Sequence, residues 1–184
     1  MELQRLDLGE AYRLIGHGPT VLVSTYDGDR VPNACAVAWA IPASKQPPRF
    51  ALRIGERHKT YANLMQTQAA VINLPTVAAL EQVMHCGRNS GHGGDKLTPA
   101  GISTSAGQEV AAPRLDCCAA WIECALLGEL KAQDTGLVLL EARLAECRPG
   151  VMTAAGHMDV ERHPTLHHLG GGLFSVPGEV REHK

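Results

Sequence analysis

No run in the sequence approaches the roughly 18 consecutive apolar residues that a membrane-spanning helix needs. The opening stretch, MELQRLDLGEAYRLIG, lacks the basic-then-apolar order of a secretory signal. A cytoplasmic protein without a membrane partner is therefore expected. A basic surplus is missing as well. Lys and Arg number 17 against 19 Asp and Glu, a formal net charge of −2. Nucleic-acid binders concentrate positive charge on one face, so no nucleic-acid partner is expected either. The six cysteines contain no CxxC pair, which argues against a structural zinc site or a thioredoxin-like dithiol. Without an export signal, Cys35, Cys86, Cys117, Cys118, Cys124 and Cys147 are expected as reduced thiols, mostly buried as small hydrophobes.

Several catalytic fingerprints are also absent. No GxGxxG follows a strand-like run, and there is no GxxxxGK[ST]. The hydrolase elbow GxSxG and the zinc motif HExxH are missing too. These gaps weaken a β-α-β reading with a parallel sheet.

The 184 residues suit a single domain spanning 1–184. Apolar and β-branched runs predict strands over 20–27, 33–41, 49–55, 69–75, 116–132 and 136–147. On such a strand the adjacent Cys117 and Cys118 would face opposite ways. The run PASKQPP (42–48) reads as a loop, DGD (27–29) as a tight turn and QDTG (133–136) as a hairpin turn. Helical spacing predicts helices over 7–16, 59–67 and 76–87, the last capped by Thr76. This pattern fits a mainly β protein, a closed antiparallel barrel with a few peripheral helices.

Two segments stand out chemically. GERHKTYANL (55–64) places Arg57, His58, Lys59 and Thr60 between a strand end and a helix start. Cationic side chains, a hydroxyl and free helix N–H groups together suit a phosphate; a solvated charge cluster is the plainer alternative. HCGRNSGHGGDK (85–96) shows no helix or strand period. Its glycines suit close backbone approach to an oxygen-rich ligand, whereas Asp95 and Lys96 could simply pin the loop. In HPTLHH (163–168), His163 and His167 are four apart and could share a helical face that binds metal.

The stretches LVST, NACAVAWAIPAS, RHKTYANLMQTQAAVINLP, HCGRNSGHGGDKL, GIS, AAPRLDCCAAWIECAL and HLGGGLFSVPGE occur in the order typical of one family. From about residue 11 to 180 the chain resembles the flavin reductase-like FMN-binding split barrels, the flavoredoxin type in particular. The resemblance implies a Greek-key split β-barrel and a homodimer holding FMN near the subunit interface. It implies electron transfer from NADH or NADPH, or from another donor such as a redox partner protein, through the flavin to an acceptor. A non-enzymatic FMN-binding electron carrier is the alternative.

Matched to the family, Asn33, Ala34, Cys35 and Ala36, then Trp39 and Ser44, would face the flavin ring. Trp39 could equally belong to the core. Arg57, His58, Lys59, Thr60 and Asn63 match the phosphate segment. Lys96, with Ser90 and Gly91 as close contacts, would reach the flavin. His168 and Phe174 would close over it, Phe174 standing where relatives often have tyrosine. No side chain is expected to act as a catalytic acid or base, and no metal is expected.

Overall fold

A computed structural model describes residues 3–9, 18–130 and 136–181. Its strands are β1 (Gln4–Arg5), β2 (Val21–Tyr26), β3 (Pro32–Val37), β4 (Ala40–Lys45), β5 (Pro48–Arg53), β6 (Ala69–Leu74), β7 (Thr104–Ala106), β8 (Pro113–Leu115), β9 (Ala120–Leu130), β10 (Leu137–Cys147), β11 (His167–Gly170) and β12 (Leu173–Ser175). Helix α1 (Lys59–Thr67) lies between β5 and β6, and α2 (Leu80–Arg88) follows β6. No described helix is long and apolar enough to cross a membrane.

The main sheet runs β3-β2-β6-β9-β10-β5-β4, with β1 added along β10, and every pairing is antiparallel. The end strands β3 and β4 follow each other in the chain yet do not pair among the described residues. The barrel is therefore split there rather than closed. The expected strand over 33–41 breaks at Ala38–Trp39, and residues 40–45 of the expected strand and loop form β4 instead. Its alternating exposure marks an edge strand, where Pro42, with no N–H to donate, is tolerated opposite Phe50.

Apolar alternation divides the central strands between two cores. Val21 and Val23 of β2, Ile72 of β6, and Ile122 and Cys124 of β9 point into the barrel with Phe50, Leu52 and Leu140. Leu22, Val71 and Trp121 point outward beneath Val83 and Cys86 of α2. Because both faces are covered, all six residues of β6 are buried. That explains its run AAVINL, apolar but for the hydrogen-bonded Asn73.

Helix α1 occupies the residues its spacing predicts, ending at Gln68 in the left-handed region. Helix α2 starts later than expected, after a 3-10 turn over 77–79. Thr76 precedes that turn but its hydroxyl makes no capping bond. Residues 10–16 of the expected helix over 7–16 and residues 133–135 of the expected turn at 133–136 fall outside the described residues. Gly136, just after them, has φ +55°, and a Cβ there would lie 2.4 Å from the Ile54 carbonyl oxygen. Only glycine fits that crossing.

Candidate functional site

Among the described residues the β3 strand pairs with β2 along one edge only, so its other edge presents backbone N–H and C=O groups outside the sheet. A cleft runs along that edge in three adjoining lobes that share Ala36. One lobe of about 250 Å³ is walled mainly by small and apolar residues, Cys35 to Trp39 with Ile54 and Gly55, and also by Arg53, His58 and His168. The second, about 260 Å³, is polar: Asn33, Arg57, His58, Lys59, Thr60, Ser90, Gly91 and Lys96 line it. The third, about 280 Å³, lies under Phe174 and His168, against Val83 and Met84.

The polar lobe is built around the start of α1. His58 is the N-cap residue but gives no side-chain cap, which leaves the first N–H groups of the helix available to an anion. Partial burial, then the cations Arg57, Arg53, Lys96 and His92, hold the His58 imidazole below its ordinary value. The lobe thus repels added positive charge, and an anion placed there would draw the imidazolium form back up. Lys59 is partly committed, its Nζ 3.1 Å from Asp27 Oδ2. The Asp27 carboxylate is held below its usual range chiefly by the Val31 N–H, at the turn joining β2 to β3.

Thr60 and Asn33 are both buried, and Asn33 Nδ2 donates to Thr60 Oγ1 at 2.7 Å. Asn33 Oδ1 is buried with no hydrogen-bond partner. A Cβ on Gly91 would lie 2.1 Å from it, so glycine is what admits the loop this close to β3. An orphaned polar atom in a cavity wall is costly unless something completes it.

The run 85–96 is not free of regular structure. Its first four residues finish α2, and Gly91–Gly93 form a 3-10 turn in which Ser90 Oγ accepts from the His92 N–H. Asp95 Oδ1 then accepts from the Leu97 and Thr98 N–H groups at 2.8 and 3.2 Å. This turn directs Lys96 back toward the helix, where its Nζ donates to the Cys86 and Asn89 carbonyls at 3.0 and 2.7 Å. Burial holds its ammonium below the ordinary lysine value. Lys96 therefore both lines the polar lobe and satisfies carbonyls at the end of α2. Lys96→Met is expected to cost about 1–3 kcal/mol, the penalty for stranding buried acceptors, and to lower the melting temperature in a thermal scan. An unchanged melting temperature would show that water replaces the ammonium.

Of the other expected residues, Cys35, Ala36 and Trp39 line the apolar lobe. His168 reaches both apolar lobes, and its ring tilts against Phe174 at 5.2 Å between centroids. Three do not line the cleft. Ala34 points into the outer core. Asn63 lies behind the site, donating to Thr25 Oγ1. Ser44 sits far along β4 opposite Arg49. Residues 163–168 form no helix; His167 and His168 belong to β11, so the shared helical face for His163 and His167 does not exist. The sequence reading missed Arg53, Val83, Met84 and Arg88, which only folding brings to the walls.

A family model for the flavin reductase like domain matches residues 15–168. The chain belongs to that family. Among members and relatives, a flavin reductase-like enzyme domain from Shewanella baltica, described as FMN-binding, superposes with a TM-score of 0.92 at 29% identity, covering 100% of this chain and 98% of that one. Flavoredoxin of Desulfovibrio vulgaris (Miyazaki F) shares the fold with a TM-score of 0.83, at 24% identity and 90% coverage of each chain. The Escherichia coli K12 protein YddH is 32% identical over 178 residues, 95% of this chain and 94% of that protein. The split barrel found here is thus the flavin reductase-like fold, and the cleft along β3 lies within the matched residues except for Gly171 and Phe174.

Proposed function

We propose that this flavin reductase-like protein is an FMN-dependent oxidoreductase, passing electrons from NADH, NADPH or another donor to a second acceptor. One observation carries the reading. A polar, cation-lined lobe with an uncapped helix start and an unsatisfied Asn33 opens, through Ala36, onto a floor of small residues along a free strand edge. These features fit FMN at both ends.

Arg57, His58, Thr60 and the first N–H groups of α1 would hold the phosphate. The uncommitted Asn33 Oδ1 suits a hydroxyl of the ribityl chain. Ala36 and Ala38 leave room for a flat ring, while the β3 edge offers its backbone groups to the ring's polar rim. Lys96 supplies positive charge from the wall. His168 and Phe174 shield the opposite side from water. When bound, the flavin supplies hydride acceptance and donation, which needs no protein acid or base. The chain's task is to bind, orient and exclude solvent.

An absorbance spectrum before and after adding FMN, followed by NADH and NADPH oxidation assays, tests the reading. A yellow protein that oxidises neither nicotinamide, with any added acceptor, would be an electron carrier instead. Protein that leaves the FMN spectrum and fluorescence unchanged would overturn the proposal altogether.

Assembly as a homodimer is part of the same proposal. Trp39, Ile41 and Leu130 are 72%, 60% and 60% exposed. With Ala51 and Leu137 they line an apolar groove of about 490 Å³ that shares Trp39 with the cleft. Exposed apolar surface of this kind marks an association site. The 19.6 kDa chain is expected at twice that mass by light scattering, and Ile41→Asp is expected to yield monomer. A wild-type monomer would refute the dimer.

A further inference from the structure

Cys117 and Cys118 do not lie on a strand facing opposite ways. The β9 strand begins only at Ala120, and Asp116 and Cys117 form a turn after β8. That turn, closed by the Cys118 N–H donating to the Leu115 carbonyl, brings both sulfurs to one side at 4.0 Å. The two thiols are unequal. Cys117 is half-buried, whereas Cys118 is 1% exposed and belongs to the outer core. Arg148 grips the same turn through the Asp116 and Cys118 carbonyls. It thereby sets a guanidinium beside the pair, opposed by the Asp116 carboxylate.

A hydrogen bond with Cys118, and then a backbone hydrogen bond in the turn, pull the Cys117 thiol below its ordinary value against burial and the Asp116 carboxylate, while burial pushes Cys118 well up. The reachable sulfur is thus the better nucleophile, and the buried one keeps its proton within reach of its neighbour. The other thiols contrast with this pair. Cys35, Cys124 and Cys147 are buried and pushed up, and burial takes Cys86 to about 12.

We propose that Cys117 and Cys118 are a reversible oxidation site for hydroperoxides, with Cys117 the attacking sulfur and Cys118 the resolving one. The Cys117 thiolate attacks the terminal peroxide oxygen and the O–O bond breaks. The departing alkoxide or hydroxide takes up a proton, leaving a sulfenic acid on Cys117. The Cys118 sulfur, giving up its proton, then attacks the Cys117 sulfur; the S–S bond forms, the S–O bond breaks and water leaves. Two thiols have lost two electrons, and one peroxide has become an alcohol, or water, plus water.

Low-pKa, accessible cysteines beside a resolving thiol are those that oxidise reversibly. Adjacent residues hold their Cα atoms about 3.8 Å apart, below the roughly 4.4–6.8 Å usual for disulfides. The ring is therefore strained and easily reduced by dithiols. The site stands independently of the flavin reading.

The protein as purified, treated with one equivalent of hydrogen peroxide, is expected to lose the mass of two hydrogens and two titratable thiols. Peptide mapping should place the change at 117–118, and dithiothreitol should restore both. Cys118→Ala is expected to leave a Cys117 sulfenic acid that dimedone traps, and Cys117→Ser to prevent oxidation at either position. Mapping on the wild-type protein reads the site even if a variant folds poorly. Loss of two hydrogens that persists in Cys117→Ser, a disulfide mapped to other cysteines, or Cys117 alkylating no faster than Cys86 would each overturn the proposal.

Discussion

Changing Arg57 and Thr60 together to alanine is expected to weaken FMN binding by about 3 kcal/mol or more, since each charge-assisted bond contributes roughly 1.5–3 kcal/mol. That is on the order of a hundredfold in Kd. Riboflavin, which lacks the phosphate, should lose little. The two residues act differently. Arg57 stands exposed at the rim of the polar lobe, where water competes for its guanidinium. Thr60 is buried, and its hydroxyl also receives the Asn33 Nδ2 donor. Thr60→Ala therefore strands a buried donor as well as removing a ligand, whereas Thr60→Ser keeps both contacts and should bind normally. Titration of both flavins by fluorescence quenching separates the effects. An equal loss for FMN and riboflavin would mean that the cation cluster does not hold the phosphate.

The second large effect lies away from the cleft. Glu123→Ala is expected to destabilise the fold by about 3–5 kcal/mol, the usual result of breaking a buried ion pair from one side. Glu123 is 0% exposed on β9, and Arg114 and Glu146 are 4% and 5% exposed. The Glu123 carboxylate accepts from the Gln108, Glu109 and Val110 N–H groups at 2.7–3.1 Å and from Arg114 Nε at 2.7 Å. Arg114 Nη1 also donates to Glu146 Oε2 at 2.6 Å, and its guanidinium lies 5.9 Å from the Trp121 ring centre. Removing Glu123 leaves three backbone donors and a guanidinium short of partners. For a chain of this size the loss corresponds to a melting temperature lower by roughly 6–20 °C. Arg114→Leu should be comparably harmful, because Glu123 and Glu146 would lose the cation between them. Urea unfolding measures both, and a change below about 1 kcal/mol, within the range of ordinary surface substitutions, would show that water replaces the missing partner.

Local physics made part of this protein legible in one dimension. Helix α1 and strands β2, β6 and β10 follow from periodicity and β-branching, because burial of one or both faces repeats along the chain itself. The cluster Arg57–Thr60 could be read for the same reason, since its residues are neighbours at a strand-to-helix junction. Strand β4 could not be read, because its proline and polar residues suit an edge strand as well as a loop. The splitting of the barrel was implied by the family resemblance but not by periodicity, because it depends on whether two strands consecutive in the chain pair across a corner.

The grouping of β3, the start of α1, the loop after α2 and the β11–β12 hairpin was implied by the family resemblance, and the tertiary structure set it out as one cleft of three lobes. It also made Lys96 a partner of carbonyls seven and ten residues away, placed Arg114 between Glu123 and Glu146, and turned Cys117 and Cys118 to the same side. Each of these depends on the direction of a side chain after the chain has reversed. Neither 3.6-residue nor two-residue periodicity carries that information, because both describe a face of one element and not what other elements bring against it.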